Sequence, residues 1–354
     1  MYKKIIIVGE MHEDLFYRND SFTQMEGTLA GILSSKKNEM LSMSEEEIKT
    51  MIHKVISNLP KKVPGNGFIK RGGNGNNSTE LFGELGIPVK LMTVLGRGSG
   101  WMINEMRELG VDTSCIYQIH EMTPISTIID DPSITKIYVA PNLKSKMNFS
   151  TITIDPSSFS DASLVFFTPL AEKFKPVLDV LQSTNKEVLT VVTIESQGIP
   201  SLDVLEKVLT RQVDIIITNE TDALSISGKA SIDDADEIFK KFSSIRVYTM
   251  AAKGSLIKSS GCEDVPIPIF KVKVLDRTGA GDAFAAGFLL KCHEFICDGG
   301  FLAEYMKVEE MDRRVALLKE FGTFGAAVAA LKISQARTPT SEEVSSFITT
   351  ASFD

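Results

Sequence analysis

The chain has 354 residues, 43% hydrophobic and 24% charged, the profile of an ordinary soluble globular protein with room for one large α/β domain or two smaller ones. Its 38 basic and 46 acidic side chains give a net charge of −8, which argues against a nucleic-acid surface built on bulk charge, although a local nest of amides holds an anion at any net charge. Cys115, Cys262, Cys292 and Cys297 form no CxxC and no zinc spacing, and no segment has the apolar length of a membrane span, so free thiols and a cytoplasmic location are expected.

Lys4–Val8 is a β-rich run, and the apolar core of "MYKKIIIVGE" is too short for a signal peptide. After a polar stretch, "SEEEIKTMIHKVISNL" (Ser44–Leu59) has Ser44 as a cap, acidic residues in the first turn and apolar residues at helical spacing. "LPKKVPGNG" punctuates the chain. A helix is predicted after "GGNGNN", a strand near Val89–Leu95, and a helix from about Trp101 to Leu109 that Gly110 closes. "TPISTIIDDPSITKIYV" (Thr123–Val139) reads as a hairpin, its β-branched runs flanking the turn residues "DDPS". Short β-branched runs then fall at 163–168, 187–194, 213–218 and 245–250, separated by helix-length segments. That alternation predicts a mainly parallel sheet with helices on both faces. "FKVKVLD" (270–276) looks like a further strand, and from Gly281 to about Lys332 the chain is largely helical, the run "FGTFGAAVAAL" indicating close packing. The early polar insertion and the hairpin lie outside the alternation and suggest a small β-rich lid.

The most informative stretch is "LDRTGAGDAF" (275–284). It places Gly279, Ala280 and Gly281 at a predicted strand-to-helix junction, where unpaired backbone N–H groups and the positive end of a helix dipole bind phosphate. Asp282 falls in the first helical turn. A lone carboxylate there is ordinarily a helix-start residue, but beside an anion nest it is poised to take a proton from an attacking hydroxyl. The Rossmann fingerprint is excluded because Phe284 stands where a third small residue belongs, and no GxxxxGK[ST] is present.

"DRTGAGDAFAAGF" resembles the C-terminal signature of the ribokinase (PfkB-type) family of carbohydrate kinases. "GEMHEDLFY", "RGGNGNNSTELFGELG", "VDIIITNETDALSISG" and "TPTSEEV" resemble further segments of that family, in family order over almost the whole chain. The resemblance implies a ribokinase-like α/β fold: a main domain of residues 1–16, 72–120 and 141–354, and a lid of 17–71 and 121–140 with a helical insertion near 44–59. It implies an ATP-dependent phosphotransferase acting on an alcohol group of a small sugar, sugar acid or polyol, with Asp282 as base and Gly279–Ala280–Gly281 as anion hole. On the acceptor side it implies Asp14, Gly72, Gly73 and Asn77, with His12 where sugar-binding members often carry Asn, a departure that sets ribose in doubt.

On the nucleotide side the resemblance implies Asn219, Thr249, Ala251 and Gly254, with Ala251 replacing a usual glycine. Mg2+ bound with ATP is assigned to Glu220 and Asp222 through water, the latter one methylene shorter than the family glutamate, and Asp276 marks a site for a monovalent cation such as K+. Arg277 replaces a usual threonine, which leaves cation activation open. The long separation of Asp14 from Gly72 bears on lid closure or on a homodimer through the lid. Two other functions stay in view. A nucleoside kinase would use a base-stacking aromatic among Phe16, Tyr17, Phe22 and Phe68, and a catalytically silent ligand-binding regulator would not need Asp282. A sugar-phosphate acceptor would call on cations such as Lys70, Arg71 or Arg97.

Overall fold

The computed structural model describes residues 3–35, 43–57, 64–131, 135–185, 187–275, 279–299 and 311–351. In chain order, the first elements are β1 (Lys4–Gly9), β2 (His12–Arg18), α1 (Ser21–Ser35), α2 (Glu45–Ser57), β3 (Asn66–Gly72), α3 (Asn74–Glu84), β4 (Val89–Arg97) and α4 (Gly100–Glu108). Next come β5 (Asp112–Met122), β6 (Ile125–Asp130), β7 (Thr135–Tyr138), α5 (Pro141–Lys144), β8 (Ala162–Thr168), α6 (Lys175–Thr184), β9 (Leu189–Ile194) and α7 (Leu202–Val208). The remainder is β10 (Val213–Asn219), α8 (Glu220–Ser227), α9 (Ile232–Phe239), β11 (Ser243–Thr249), β12 (Ser255–Ser259), β13 (Val265–Ile267), α10 (Ala280–Cys297), α11 (Met311–Gln335) and α12 (Ser341–Thr350).

The chain divides into two units: Met1–Met11, Gly73–Met122 and Ser145–Asp354 form the larger, His12–Gly72 and Thr123–Lys144 the smaller. The larger holds a nine-stranded sheet in the order β13-β12-β11-β10-β9-β8-β1-β4-β5, parallel from β11 to β5 with β12 and β13 antiparallel at one edge. Successive residues of its central strands enter different cores. Ile5, Ile7, Leu164 and Phe166 join one apolar cluster, while Ile6, Val8, Val165 and Phe167 join another, all of them buried. This is the two-faced burial expected of a parallel sheet, and each such side chain contributes roughly 1.5–3 kcal/mol by leaving water. Helices α3, α10 and α11 supply the first cluster, and α6, α8 and α9 the second.

The small-residue run of α11 packs closely against α10: a Cβ on Gly325 would fall 2.7 Å from the Phe284 carbonyl oxygen. Strand order reverses at β1, with β4 and β5 to one side and β8 to β11 to the other. In open α/β sheets, ligands bind beyond the carboxyl ends of strands at such a reversal. Those ends here lead into Glu10, Glu195 and Glu220.

The smaller unit has a four-stranded sheet in the order β3-β2-β6-β7. Strands β6 and β7 are the antiparallel hairpin predicted between 123 and 139, though its turn residues 132–134 lie outside the described ones. Strand β2 and helix α1 were not anticipated. Asp14 sits within β2. The capping expected at Ser44 is present: Glu47 N–H donates to Ser44 Oγ at 3.4 Å, and Ser44 N–H donates to Glu47 Oε2 at 2.8 Å.

The strand expected over 270–276 is corrected by the structure. Strand β13 stops at Ile267, Pro268 cannot donate to a ladder, and 271–275 run without strand pairing. Leu275 N–H instead donates to the Ile333 carbonyl at 2.8 Å, which ties the segment to α11. Among the described residues no helix is long and apolar enough to cross a membrane.

Candidate active site

Helix α10 begins at the glycine nest. Gly279 is its N-cap, with φ 72° and ψ 14°, a left-handed conformation that a side chain would strain. Its carbonyl accepts the first helical bond, from Ala283 N–H at 2.9 Å. No side chain caps this end, and a Cβ on Gly281 would meet nothing within 4 Å, so the first turn borders open space. Donors of the first turn of a helix have no intrahelical partners, and with the dipole they favour an anion. Asp282, half-buried in the same turn, has its pKa raised by burial and partly restrained by the Lys332 ammonium of α11. A carboxylate shifted in that direction accepts a proton more readily than an exposed aspartate.

Beyond the end of β9 lies Glu195, which sequence reasoning missed. Burial, followed by the charges of Asp282, Asp222 and Glu10, pushes its pKa up to about 7. Asn74 Nδ2 donates to Glu195 Oε1 at 3.5 Å. The signal was present: an acid directly after a β-branched run that ends at the carboxyl edge of the sheet. The next residue, Ser196, donates through its N–H at 3.1 Å and its Oγ at 2.6 Å to Asp222 Oδ1.

Asn219 caps α8: its Oδ1 accepts from Asp222 N–H at 2.8 Å, and its Nδ2 donates to Asp222 Oδ2 at 2.6 Å. Asp222 is thus drawn back toward the ends of β9 and β10, whereas Glu220 Oε1 and Oε2 accept from Lys253 Nζ at 3.1 Å each. Thr249 closes β11, opposite Asn219 on one side and Ser255 on the other. Ala251, where the resemblance suggests glycine, has φ 49°, in the region that favours glycine. Gly254 closes this turn with φ 87°, and its carbonyl accepts from Met250 N–H at 2.8 Å.

Gly73 and Asn77 begin α3 in the larger unit, where Asn77 is exposed and its Oδ1 accepts from Asn76 Nδ2 at 3.1 Å. In the smaller unit, His12 and Asp14 stand two residues apart on β2, with His12 Nε2 3.2 Å from Asp14 Oδ1. Gly72 lies beside them on β3, and a Cβ there would fall 2.0 Å from Asp14 Oδ2. The larger unit therefore brings together Asp282 and Asp222 around Glu195, and the smaller brings together His12, Asp14 and Gly72. Asp276, with the cation site assigned to it, and Arg277 lie outside the described residues.

The sequence profile of the pfkB family carbohydrate kinase matches residues 64–344. The chain belongs to this family. Two curated relatives are a cytidine kinase of Thermococcus kodakarensis, 31% identical over 38% of this chain and 49% of that protein, and a ribokinase of Haemophilus influenzae, 25% identical over 79% of this chain and 88% of that protein. The match to the first spans only about half of that relative. Among solved structures, the ribokinase of Giardia lamblia superposes with a TM-score of 0.70 at 18% identity, covering 99% of both chains. The ribokinase of Arabidopsis thaliana, complexed with ribose and ATP, gives 0.66 at 16% identity, covering 98% of this chain and 99% of that one. The mainly parallel nine-stranded sheet with helices on both faces, and the separate small sheet, are thus the ribokinase-like fold.

For a PfkB kinase the fit to magnesium is a matter of charge. Burial does most to push Glu195 toward protonation, and the charges of Asp282, Asp222 and Glu10 add to it, a repulsion that a divalent cation relieves. Among the described residues, no group of three or more His, Cys, Asp or Glu side chains is arranged to hold an ion directly. That donor set suits a hydrated Mg2+, which keeps several of its waters, better than a caged metal.

Proposed function

We propose that this chain transfers the γ-phosphate of ATP to an alcohol group of a small sugar, sugar acid or polyol. The observation that carries this reading is a carboxylate with a raised pKa, Asp282, in the first turn of a helix whose amino end is an open glycine nest. In the transfer, the acceptor hydroxyl oxygen bonds to the γ-phosphorus and the bond from that phosphorus to the β,γ-bridging oxygen breaks. The hydroxyl proton passes to Asp282, and ADP leaves with the bridging electron pair. The N–H groups of Gly279, Ala280 and Gly281 receive the charge on the transferring group. Mg2+ bound with ATP would neutralise charge on the phosphates, and Glu195, Asp222 and Glu220 would hold it through its waters.

Asp14 and His12 receive acceptor hydroxyls, with Gly73 and Asn77 as further contacts; Asn219, Thr249, Ala251 and Gly254 border the nucleotide. The smaller unit serves as a lid whose closure excludes water and limits wasteful ATP hydrolysis. One face of its sheet exposes Ile69, Ile125 and Tyr138, which supports a homodimer through that sheet; sedimentation velocity finding only monomer at micromolar concentration contradicts it.

A coupled ADP-release assay over sugars, sugar acids, sugar phosphates, polyols and nucleosides tests the main reading. Acceptor-dependent ADP supports it, and ATP binding without ADP above background favours a silent binder. The cytidine kinase similarity gives a nucleoside acceptor as the second reading, and the same panel separates the two.

A further inference from the structure

The face of the small sheet that carries His12 and Asp14 also carries Phe16 and Arg18 on β2 and Phe68, Lys70 and Gly72 on β3. Register sets Asp14 opposite Lys70 and Phe16 opposite Phe68. The two rings stack, with centroids 5.0 Å apart and planes 4° from parallel. The Lys70 ammonium lies over both, 5.1 Å from the Phe16 centroid and 5.4 Å from that of Phe68. Arg18 lies over Phe68 at 5.3 Å and bonds Asp130 at 3.0 Å.

Directly opposite charges on neighbouring strands normally pair. Lys70 nevertheless has no ion-pair partner among the described residues. The carboxylate of Asp14 is turned toward Gly72 and His12, while the lysine leans the other way onto the rings. The result is a hydroxyl-binding carboxylate and an uncompensated cation on one face, within the roughly 13 Å of strand that separates Gly72 from Phe68.

We infer that the acceptor carries an anionic group, a carboxylate or a phosphate, which Lys70 binds while Asp14 takes the hydroxyls. This rests on the phosphoryl-transfer reading above. A flexible lysine loses rotamer freedom when it binds an anion, and the aromatic pair has already confined this one, so less is lost on binding. Each ring is stacked on the other, and the Lys70 ammonium, nearly equidistant from the two centroids, adds a charge that favours an anion over a neutral nucleobase. Acceptors reduced to a neutral alcohol leave the ammonium without a counter-charge.

The test measures ADP release with matched acceptors: a sugar acid and a sugar phosphate, their neutral parent sugar and polyol, and a nucleoside, each with the full chain and with Lys70→Met and Lys70→Arg. The expected kcat/KM for at least one anionic acceptor exceeds that of its neutral counterpart by about 10-fold or more, and comparison of the two anions identifies the group. Lys70→Met, which keeps the stem without the charge, lowers that ratio by ~10- to 100-fold, chiefly through KM, and Lys70→Arg recovers much of it. Turnover confined to neutral sugars or nucleosides, or an unchanged ratio in Lys70→Met, overturns this inference while leaving the kinase reading in place. No ADP with any acceptor overturns both.

Discussion

Replacing Gly72 by alanine is a narrow perturbation with a calculable consequence. The added Cβ would lie 2.0 Å from Asp14 Oδ2, 2.3 Å from Cγ and 2.7 Å from Oδ1, whereas contacts of this kind are essentially never shorter than 3.0 Å. Every atom of the carboxyl group is involved, so it must swing away by about an ångström. It then abandons both its 3.2 Å contact with His12 Nε2 and the position assigned to it for acceptor hydroxyls. The obstacle is the end of a side chain and Gly72 is an ordinary strand residue, so the sheet survives, at a loss of roughly 1 kcal/mol or less. Misplaced charge-assisted hydrogen bonds are worth ~1.5–3 kcal/mol, a loss of about 10- to 150-fold in kcat/KM for the acceptor. Steady-state kinetics with the acceptor varied, and separately with ATP varied, give the readout. The acceptor KM rises while the ATP KM stays within about twofold. A Gly72→Ala enzyme with unaltered acceptor kinetics and an unaltered melting temperature refutes the role given to Asp14.

Two predictions concern stability. Ala251 holds φ 49°, and relieving a left-handed alanine of about 1–2 kcal/mol of strain is partly offset by the freedom glycine gains in the unfolded chain. Ala251→Gly therefore raises Tm by ~1–3 °C in differential scanning calorimetry, and a fall contradicts the strain argument. At the opposite edge of the large sheet, burial pushes the Asp112 pKa up, but hydrogen bonds from Lys4, at 2.7 Å, and Ser114 outweigh it and bring the group to about 2. A lowered folded-state pKa gives stability that is present above the unfolded value near 4 and disappears as pH falls through about 2. Discounted for exposure, the contribution is about 1 kcal/mol at pH 7. Asp112→Asn lowers stability by that amount in urea unfolding at pH 7 and by less at pH 3; an equal loss at both removes the electrostatic explanation.

The legible parts of this molecule are those written in short stretches. The β-branched runs of β8, β10 and β11 and the glycines at 279 and 281 are local signals, and the strand-and-helix alternation suffices for a parallel sheet covered on both faces. Distant residues brought together by strand order carry no such signal. Glu195 looks like one more acid after a strand until parallel pairing of β9 with β10 sets Ser196 beside Asp222. The Phe16–Phe68 stack joins residues that lie on either side of α1 and α2, and only the β2–β3 register shows that they share a face with Asp14.

Residues 271–275 show the reverse error. Alternation over "KVKVL" implies a strand, yet Val274 and Leu275 are exposed, at 42% and 62%, and the ladder with β12 ends at Ile267. The departure at Ala251 was visible in the sequence, but its physical meaning was not. A positive φ is a property of the turn between β11 and β12, which an alanine codon does not reveal.

The proton that leaves the acceptor decides the role of Asp282. Asp282→Asn preserves size and most hydrogen bonding but cannot take that proton. Single-turnover phosphoryl transfer measured alongside ATP affinity should show kcat reduced by about 10²- to 10⁴-fold with ATP binding nearly intact. A variant that turns over at the wild-type rate would mean that this carboxylate merely starts a helix.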